Sequence, residues 1–116
     1  MRKRQIAQLV EKDMMTKLIE NGHVAVLYSP DYGSGWSSWH GVEELLYDPK
    51  VVEMVRAEKF DEIEKYCSDT YGVQYYYGGL DGLAIAMIPE GTRFRISEYD
   101  GYETIILESE EDWFTA

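Results

Sequence analysis

Two short and almost wholly apolar runs constrain the fold of this chain more than any other feature. They are His23 to Tyr28 and Leu83 to Ile88. Continuous apolar runs of this length are typical of strands that are covered on both faces. We therefore predict that both runs are central strands in the interior of one sheet.

The segment before the first run predicts a helix over residues 3 to 21. Asn21-Gly22 offers the left-handed residue that commonly ends a helix. The apolar residues recur at three-, four- and five-residue steps, which gathers them along one stripe of a helix: Ile6, Leu9, Val10, Met14, Met15, Leu18 and Ile19.

The middle of the chain predicts further helix. Asp48-Pro49 combines an N-cap acceptor with proline at the first helical position. Apolar residues then recur at helical spacing from Val51 as far as Tyr71-Gly72. The spacing slips by one residue around Ala57 to Lys59, so it fits two helices as well as one. The pattern assigns no type to residues 42 to 47.

From Val73 onward the apolar period changes to two, which predicts strands. Alternation over Val73 to Tyr77 predicts one of them. Asp100-Gly101 between two alternating segments predicts a hairpin with a two-residue type I′ turn. That turn fixes the register, which pairs Tyr99 with Tyr102, Glu98 with Glu103, Ile96 with Ile105, Phe94 with Leu107 and Arg93 with Glu108.

One pair in this register is unfavourable. Glu98 faces Glu103 on the side of the apolar pairs, and like charges directly opposite each other are destabilising. Either both side chains splay into water near the hairpin tip, or they hold an arginine, a lysine or a cation supplied from elsewhere. The second alternative makes Glu98 and Glu103 candidate binding residues.

Together these elements predict an α+β fold, with a mostly antiparallel sheet of about five strands and helices packed on one face. The 116 residues fit a single domain over 1–116. At the end of the chain we expect an acidic tail, Glu110 to Asp112, before Trp113-Phe114 pack back onto the domain.

The charge of the chain bears on its partners. It has 22 Asp and Glu against 11 Lys and Arg, a net charge of −11. This balance disfavours direct binding of nucleic acid and of anionic membranes, both of which need clustered cations. It favours solubility, or else a role as an acidic decoy for a protein that normally holds DNA or RNA.

Location is predicted from what the sequence does not contain. The single cysteine, Cys67, cannot form an internal disulfide. The N-terminal residues are too polar for the core of a signal peptide, and no apolar run approaches the ~18 residues of a membrane span. We expect a cytoplasmic protein.

The sequence contains few of the residue patterns that enzymes use. His23, His40 and Cys67 do not make a usual structural zinc site, and no EF-hand or phosphate-binding motif occurs. A dyad of Ser37 or Ser38 with His40 is conceivable, but neighbours in sequence rarely form such dyads. We therefore expect no metal and no cofactor, and we favour binding over catalysis.

The loop over residues 29–41, here called the Gly/Trp loop, offers the features of a binding surface. Its glycines and serines present backbone N–H groups and hydroxyls that suit an anion or a polar small molecule, and its tryptophans can stack on a flat ring. Alternatively the tryptophans cap the end of the sheet as part of the core. The candidate binding residues are Tyr32, Gly33, Ser34, Gly35, Trp36, Ser37, Ser38, Trp39 and His40 of the loop and Glu98, Tyr99, Asp100 and Glu103 of the hairpin.

The loop is part of a longer pattern. It reads Ser29-Pro30-Asp31-Tyr32-Gly33-Ser34-Gly35-Trp36-Ser37-Ser38-Trp39, followed by Leu45-Leu46-Tyr47-Asp48-Pro49, Ile88-Pro89-Glu90-Gly91-Thr92-Arg93-Phe94 and Glu98-Tyr99-Asp100-Gly101. This pattern, over about residues 24 to 113, resembles a group of small uncharacterised proteins of bacteriophages and bacteria. The resemblance implies a phage or prophage context. It transfers no catalytic residue, since the group has no established activity.

Two functions are consistent with these features. The first is a phage-related accessory or inhibitor protein that engages a host or phage protein through acidic surface and exposed aromatic residues. The second is a small-molecule-binding protein or enzyme whose pocket is the Gly/Trp loop with Tyr99 and Asp100. A concave pocket lined by both tryptophans favours the second, and an exposed aromatic patch ringed by Asp and Glu favours the first.

Overall fold

A computed structural model describes residues 7–12, 15–30, 36, 40–75, 77 and 80–108. The fold is α+β, as predicted, and all strand pairs in it are antiparallel. The helices are α1 (Pro49–Arg56) and α2 (Phe60–Tyr71). The strands are β1 (Ala7–Lys12), β2 (Met15–Glu20), β3 (His23–Tyr28), β4 (Ala84–Pro89), β5 (Phe94–Tyr99) and β6 (Tyr102–Leu107).

The strands form two sheets rather than the single sheet of about five strands that we predicted. One is four-stranded in the order β1-β2-β3-β4, and the other is the two-stranded ribbon β5-β6. The two sheets are joined by a backbone hydrogen bond in which Glu103 N–H donates to Ser29 O at 2.8 Å.

The helix predicted over residues 3 to 21 is wrong, because β1 and β2 form an antiparallel hairpin there. Asn21 and Gly22 have φ of +52° and +76° and connect the pair Glu20 and His23. This is the Asn-Gly type I′ turn of a β-hairpin, not the end of a helix. Residues 1–6 and 13–14 of the predicted helix lie outside the described residues.

The prediction that β3 is a central strand is confirmed, since β2 and β4 flank it. Its alternate residues are buried on opposite faces, which explains the continuous apolar run. Ala25 and Leu27 pack in a core with the helices, beside Trp36, Leu45, Val51, Val52, Ile63 and Cys67. Val26 packs in a second core with Tyr47 and Ile88, against Phe94, Ile105 and Leu107 of the ribbon.

Two other strand predictions need correction. Most of Leu83 to Ile88 does form a strand, since β4 begins at Ala84. Among the described residues, however, β4 is the last strand of its sheet and not a central one. Val73 to Tyr75 form a turn and not a strand, with the Val73 side chain 83 % exposed. Tyr77 is drawn into the core instead, where its hydroxyl donates to the backbone O atoms of Gly72 and Cys67 at the end of α2.

The helical prediction for the middle of the chain is confirmed in its two-helix form. Asp48 is the N-cap of α1, and its Oδ1 accepts from Lys50 N–H at 2.8 Å and Val51 N–H at 3.2 Å. The break falls at Glu58, whose φ is +58°. Residues Glu43–Leu46, which the pattern left unassigned, form a 3₁₀ helix.

The predicted register of the last hairpin is confirmed, from Tyr99 with Tyr102 to Phe94 with Leu107. Asp100 and Gly101 have φ of +50° and +85°, as a type I′ turn requires. Arg93 also meets Glu108, with Nη1 at 3.3 Å from Oε2. The predicted acidic tail and the packing of Trp113-Phe114 lie outside the described residues.

Candidate functional site

Ser29, Trp36 and His40 of the Gly/Trp loop are core rather than surface. Trp36 is fully buried, its backbone N–H donates to Ser29 Oγ at 2.9 Å, and its Nε1 donates to Leu45 O at 3.2 Å. Its indole therefore has no face available for a ligand. The other loop candidates, which are Tyr32, Gly33, Ser34, Gly35, Ser37, Ser38 and Trp39, lie outside the described residues.

His40 is buried against Trp36, with ring centroids 4.7 Å apart in an edge-to-face arrangement. Val42 N–H donates to His40 Nδ1 at 2.9 Å, so the ring proton is on Nε2 in the neutral form. Nε2 is buried and has no hydrogen-bond partner within the described part of the chain. Burial lowers the pKa of His40 to about 4, although the Glu103 carboxylate acts in the opposite direction.

Glu103 joins the hairpin to the start of the loop. Its side chain is fully buried, and Oε1 accepts from Ser29 N–H at 3.0 Å. Glu103 N–H in turn donates to Ser29 O at 2.8 Å. Ser29 is thereby bonded to β6 through its backbone and to Trp36 through its hydroxyl, so the hairpin is tied to both of these buried residues.

The structure directs the side chains of Glu98 and Glu103 to different partners. The two residues are opposite each other as predicted. Glu103 points into the core to Ser29, while Glu98 Oε2 accepts from Gly101 N–H at 2.6 Å within its own turn. Each carboxylate accepts a backbone N–H, which explains how the like-charged pair is tolerated.

The hairpin tip, residues 98–102, presents aromatic residues to solvent. Tyr99 is 69 % exposed and Tyr102 is 38 % exposed. The side chains of Glu98 and Asp100 are also exposed beside them. Because the type I′ turn and the Glu98 to Gly101 bond fix the backbone, the tip is a preformed aromatic and acidic surface.

A groove runs from this tip between the two sheets. It has a volume of about 340 Å³ and is lined by Ala86, Met87 and Ile88 of β4 on one side and by Tyr102 to Ile105 and Leu107 of β6 on the other. Tyr28 and Pro30 also line it. Tyr102 belongs both to the hairpin tip and to the groove, so the two surfaces are continuous.

A larger cleft of about 630 Å³ opens at the far end of the Gly/Trp loop. Gly41 and Val42 line it, together with apolar residues of β2, β3 and β4, among them Ile19, Val24 and Ile88. Neither Trp36 nor His40 contributes to its described lining. Trp36 and His40 therefore do not form this cleft, although Gly41 at the end of the loop lines it.

Asp48 belongs to a polar cluster with Tyr66 and Tyr71, whereas the sequence predicted only its role at the start of a helix. Asp48 Oδ2 accepts from the hydroxyls of Tyr66 at 2.8 Å and Tyr71 at 2.5 Å. Burial, followed by the hydrogen bond to Asp48, raises the pKa of both phenols. No signal in the sequence indicated this cluster, because residues five apart on a helix differ by about 140° around its axis.

Within the described residues, no group of three His, Cys, Asp or Glu side chains is arranged to hold a metal ion. None of the helices described is long and apolar enough to cross a membrane. Comparisons of the chain with protein-family models, with curated proteins and with solved structures give no match.

Proposed function

We propose that this chain acts by binding another protein through the hairpin tip. The observation that carries the proposal is the pair Tyr99 and Tyr102, which are exposed on a preformed turn with Glu98 and Asp100 beside them. Tyrosines supply large contact area at low cost in conformational entropy, and they are enriched among the residues that dominate interfaces.

The buried anchor of the hairpin supports the same function. The bonds from Ser29 to Glu103 hold β6 against the end of β3, and Phe94, Ile105 and Leu107 pack the ribbon onto the second core. A surface that is rigid before binding loses less entropy on association than a mobile loop. In the phage or prophage context that the sequence resemblance implies, the chain would be an accessory or inhibitor protein and its partner a host or phage protein.

The net charge of −11 indicates the character of the partner surface. An acidic binding protein associates fastest with a basic partner, because complementary potentials steer the encounter. A basic, aromatic-accepting surface on the partner is therefore expected, and binding should weaken as salt is raised.

The alternative function, small-molecule binding, is favoured by one observation. The cleft of about 630 Å³ has the size of a typical ligand site and begins at Gly41, at the end of the Gly/Trp loop. For this alternative we propose the cleft as the ligand site instead of Trp36, because Trp36 is buried.

The test is affinity capture from bacterial lysate with the tagged protein and the variant Tyr99→Ala with Tyr102→Ala. We expect a stoichiometric partner to be retained by the wild type and lost by the variant, since truncating central aromatic residues costs about 2 kcal/mol or more, roughly 30-fold in affinity. Tyr75→Ala is the matched control, because Tyr75 is also 38 % exposed but lies far along the chain from the tip.

Retention of the same partner by the tip variant would exclude the tip as the binding surface. Native mass spectrometry of the eluate decides between the two functions. A small mass adduct without a protein partner would support the cleft and contradict the proposal.

A further inference from the structure

We propose that the partner supplies an extended segment that adds as a strand to the outer edge of β4 and places alternate side chains in the groove beside β6. This inference rests on the proposed function and names the mode by which the partner is bound. Its basis is the position of β4 in the sheet, its sequence, and the groove that adjoins it.

The edge of β4 is open within the described part of the chain. β4 pairs with β3 along its whole length, from Tyr28 with Ala84 to His23 with Pro89, and no described strand pairs with its other side. The unpaired backbone groups of an edge strand are a template for another strand. Proteins usually protect such edges with charged residues, bulges or prolines.

β4 has little of this protection. Its sequence, Ala84-Ile85-Ala86-Met87-Ile88-Pro89, contains no charge, and proline stands only at its end. The register with β3 is continuous over all six pairs, so no bulge interrupts it. Met87 is 38 % exposed on this strand. An uncharged, regular and partly exposed edge is what strand addition requires.

The groove provides the specificity that a bare edge lacks. In strand addition the backbone hydrogen bonds supply affinity, while pockets for alternate side chains supply sequence preference. The groove of about 340 Å³ is lined by Ala86 and Ile88 on the side of β4 and by Thr104 and Ile105 on the side of β6. Mostly apolar walls of this kind suit aliphatic side chains that recur every second residue.

Charge distinguishes the partner segment from a second copy of this chain. The described lining of the groove includes no Lys or Arg, and Arg56 near Met87 is already held by two hydrogen bonds to Glu20 at 2.6 Å. Two copies with a net charge of −11 each repel one another. The segment is therefore a different protein's strand, apolar at alternate positions and flanked by lysine or arginine.

The experiment starts from a random display library of peptides of about ten residues, the upper length of an ordinary strand. We expect the wild-type protein to enrich sequences with period-two apolar residues and basic flanks. A labelled enriched peptide is then titrated by fluorescence anisotropy, and amide hydrogen exchange is followed over residues 84–88. Binding should slow exchange there.

Variants of the protein and N-methylated peptides test the mode of binding. Ala86→Arg obstructs the wall formed by β4 and should lower the affinity for the peptide at least ten-fold. If Ala86→Arg does not fold, Thr104→Arg obstructs the opposite wall and should lower the affinity to the same extent. Val73→Arg adds the same charge at an exposed site after α2 and should leave affinity within two-fold. Two peptides are compared, one N-methylated at its odd-numbered amides and the other at its even-numbered amides. Only the peptide whose methylated amides face β4 should bind more weakly.

The inference is overturned if no peptide is enriched, if the enriched sequences lack period-two apolar residues, if both N-methylated peptides bind equally, or if protection appears away from β4. A dimer of the wild type that Ala86→Arg converts to a monomer would make the occupant a second copy and overturn it as well. If Ala86→Arg keeps the captured partner while Tyr99→Ala with Tyr102→Ala loses it, the strand-addition mode fails and protein binding by the tip stands.

Discussion

Glu103 shows how one residue sets the position of the proposed binding surface. Its buried carboxylate accepts from Ser29 N–H, and its own N–H donates to Ser29 O. A buried donor left without an acceptor costs about 1–3 kcal/mol. The side chain that looked like a repulsive partner of Glu98 is therefore an acceptor that the loop requires.

Two substitutions at this position should differ in a predictable way. Glu103→Gln keeps an oxygen where Oε1 meets Ser29 N–H, so we expect a loss of about 1 kcal/mol or less in the free energy of unfolding. Glu103→Ala removes the acceptor and leaves a cavity, so we expect a loss of about 2–4 kcal/mol. Urea denaturation measures both. Equal losses for the two variants would show that the acceptor to Ser29 is unimportant.

At the scale of the element, Asp48 connects the two helices. One carboxylate oxygen caps α1, and the other accepts from Tyr66 and Tyr71 of α2. Each helix alone is short, 8 and 12 residues, and isolated helices of such length are marginal in water. The shared carboxylate therefore couples the stability of α1 to that of α2.

Asp48→Ala should destabilise the protein by about 2–4 kcal/mol, since a lost N-cap costs about 1 kcal/mol and each lost hydrogen bond to a charged group about 1 kcal/mol or more. Tyr66→Phe and Tyr71→Phe keep the ring and should each cost about 1 kcal/mol. In a double-mutant cycle the two phenylalanine variants are expected to be non-additive, because both hydroxyls bind the same oxygen. Strict additivity in thermal or urea unfolding would argue against a shared acceptor.

The elements that the sequence predicted well are those whose signals are local. The Asp48-Pro49 start and the Asp100-Gly101 turn each depend on two adjacent residues with a defined backbone requirement, and both are confirmed. The helix over residues 3 to 21 was wrong because Leu18 and Ile19 are both buried, on opposite faces of β2. A strand covered on both faces loses its period of two, and the apolar residues can then imitate a helical stripe.

The candidate site was predictable in part for the same reason. Tyr99 and Asp100 lie on the hairpin tip, where the turn placed them, and they are exposed. The burial of Trp36, His40 and Glu103 depends on contacts between distant segments, such as Ser29 with Glu103 across 74 residues. Composition and spacing contain no information on such pairs. The position of β4 at the edge of its sheet is likewise set by topology and not by its own sequence.

At the scale of the whole molecule, pH acts on stability through two opposing effects. As the pH falls, protonation of carboxylates makes the net charge less negative than −11 and so reduces self-repulsion. His40 acts in the other direction, because burial holds its pKa at about 4 in the folded state against an ordinary value of 6.5. At a pH between these two pKa values, His40 is protonated in the unfolded chain but not in the folded protein.

The contribution of His40 is therefore fully present above pH 6.5 and is lost as the pH falls toward 4. A shift of this size corresponds to on the order of 2–3 kcal/mol. His40→Asn can still accept from Val42 N–H but does not titrate. We expect the free energy of unfolding of the wild type, relative to His40→Asn, to fall by that amount between pH 7 and pH 4, as measured by urea denaturation at each pH.

Comparison with the variant separates His40 from the carboxylates, whose titration is common to both proteins. NMR of the imidazole ring gives an independent measurement, and its midpoint should be about 4. A difference between the two proteins that does not change with pH, together with a ring midpoint near 6.5, would mean that His40 is solvated. In that case the core that holds Ser29, Trp36 and the hairpin would be open to water, and the preformed tip on which protein binding is proposed would lose its support.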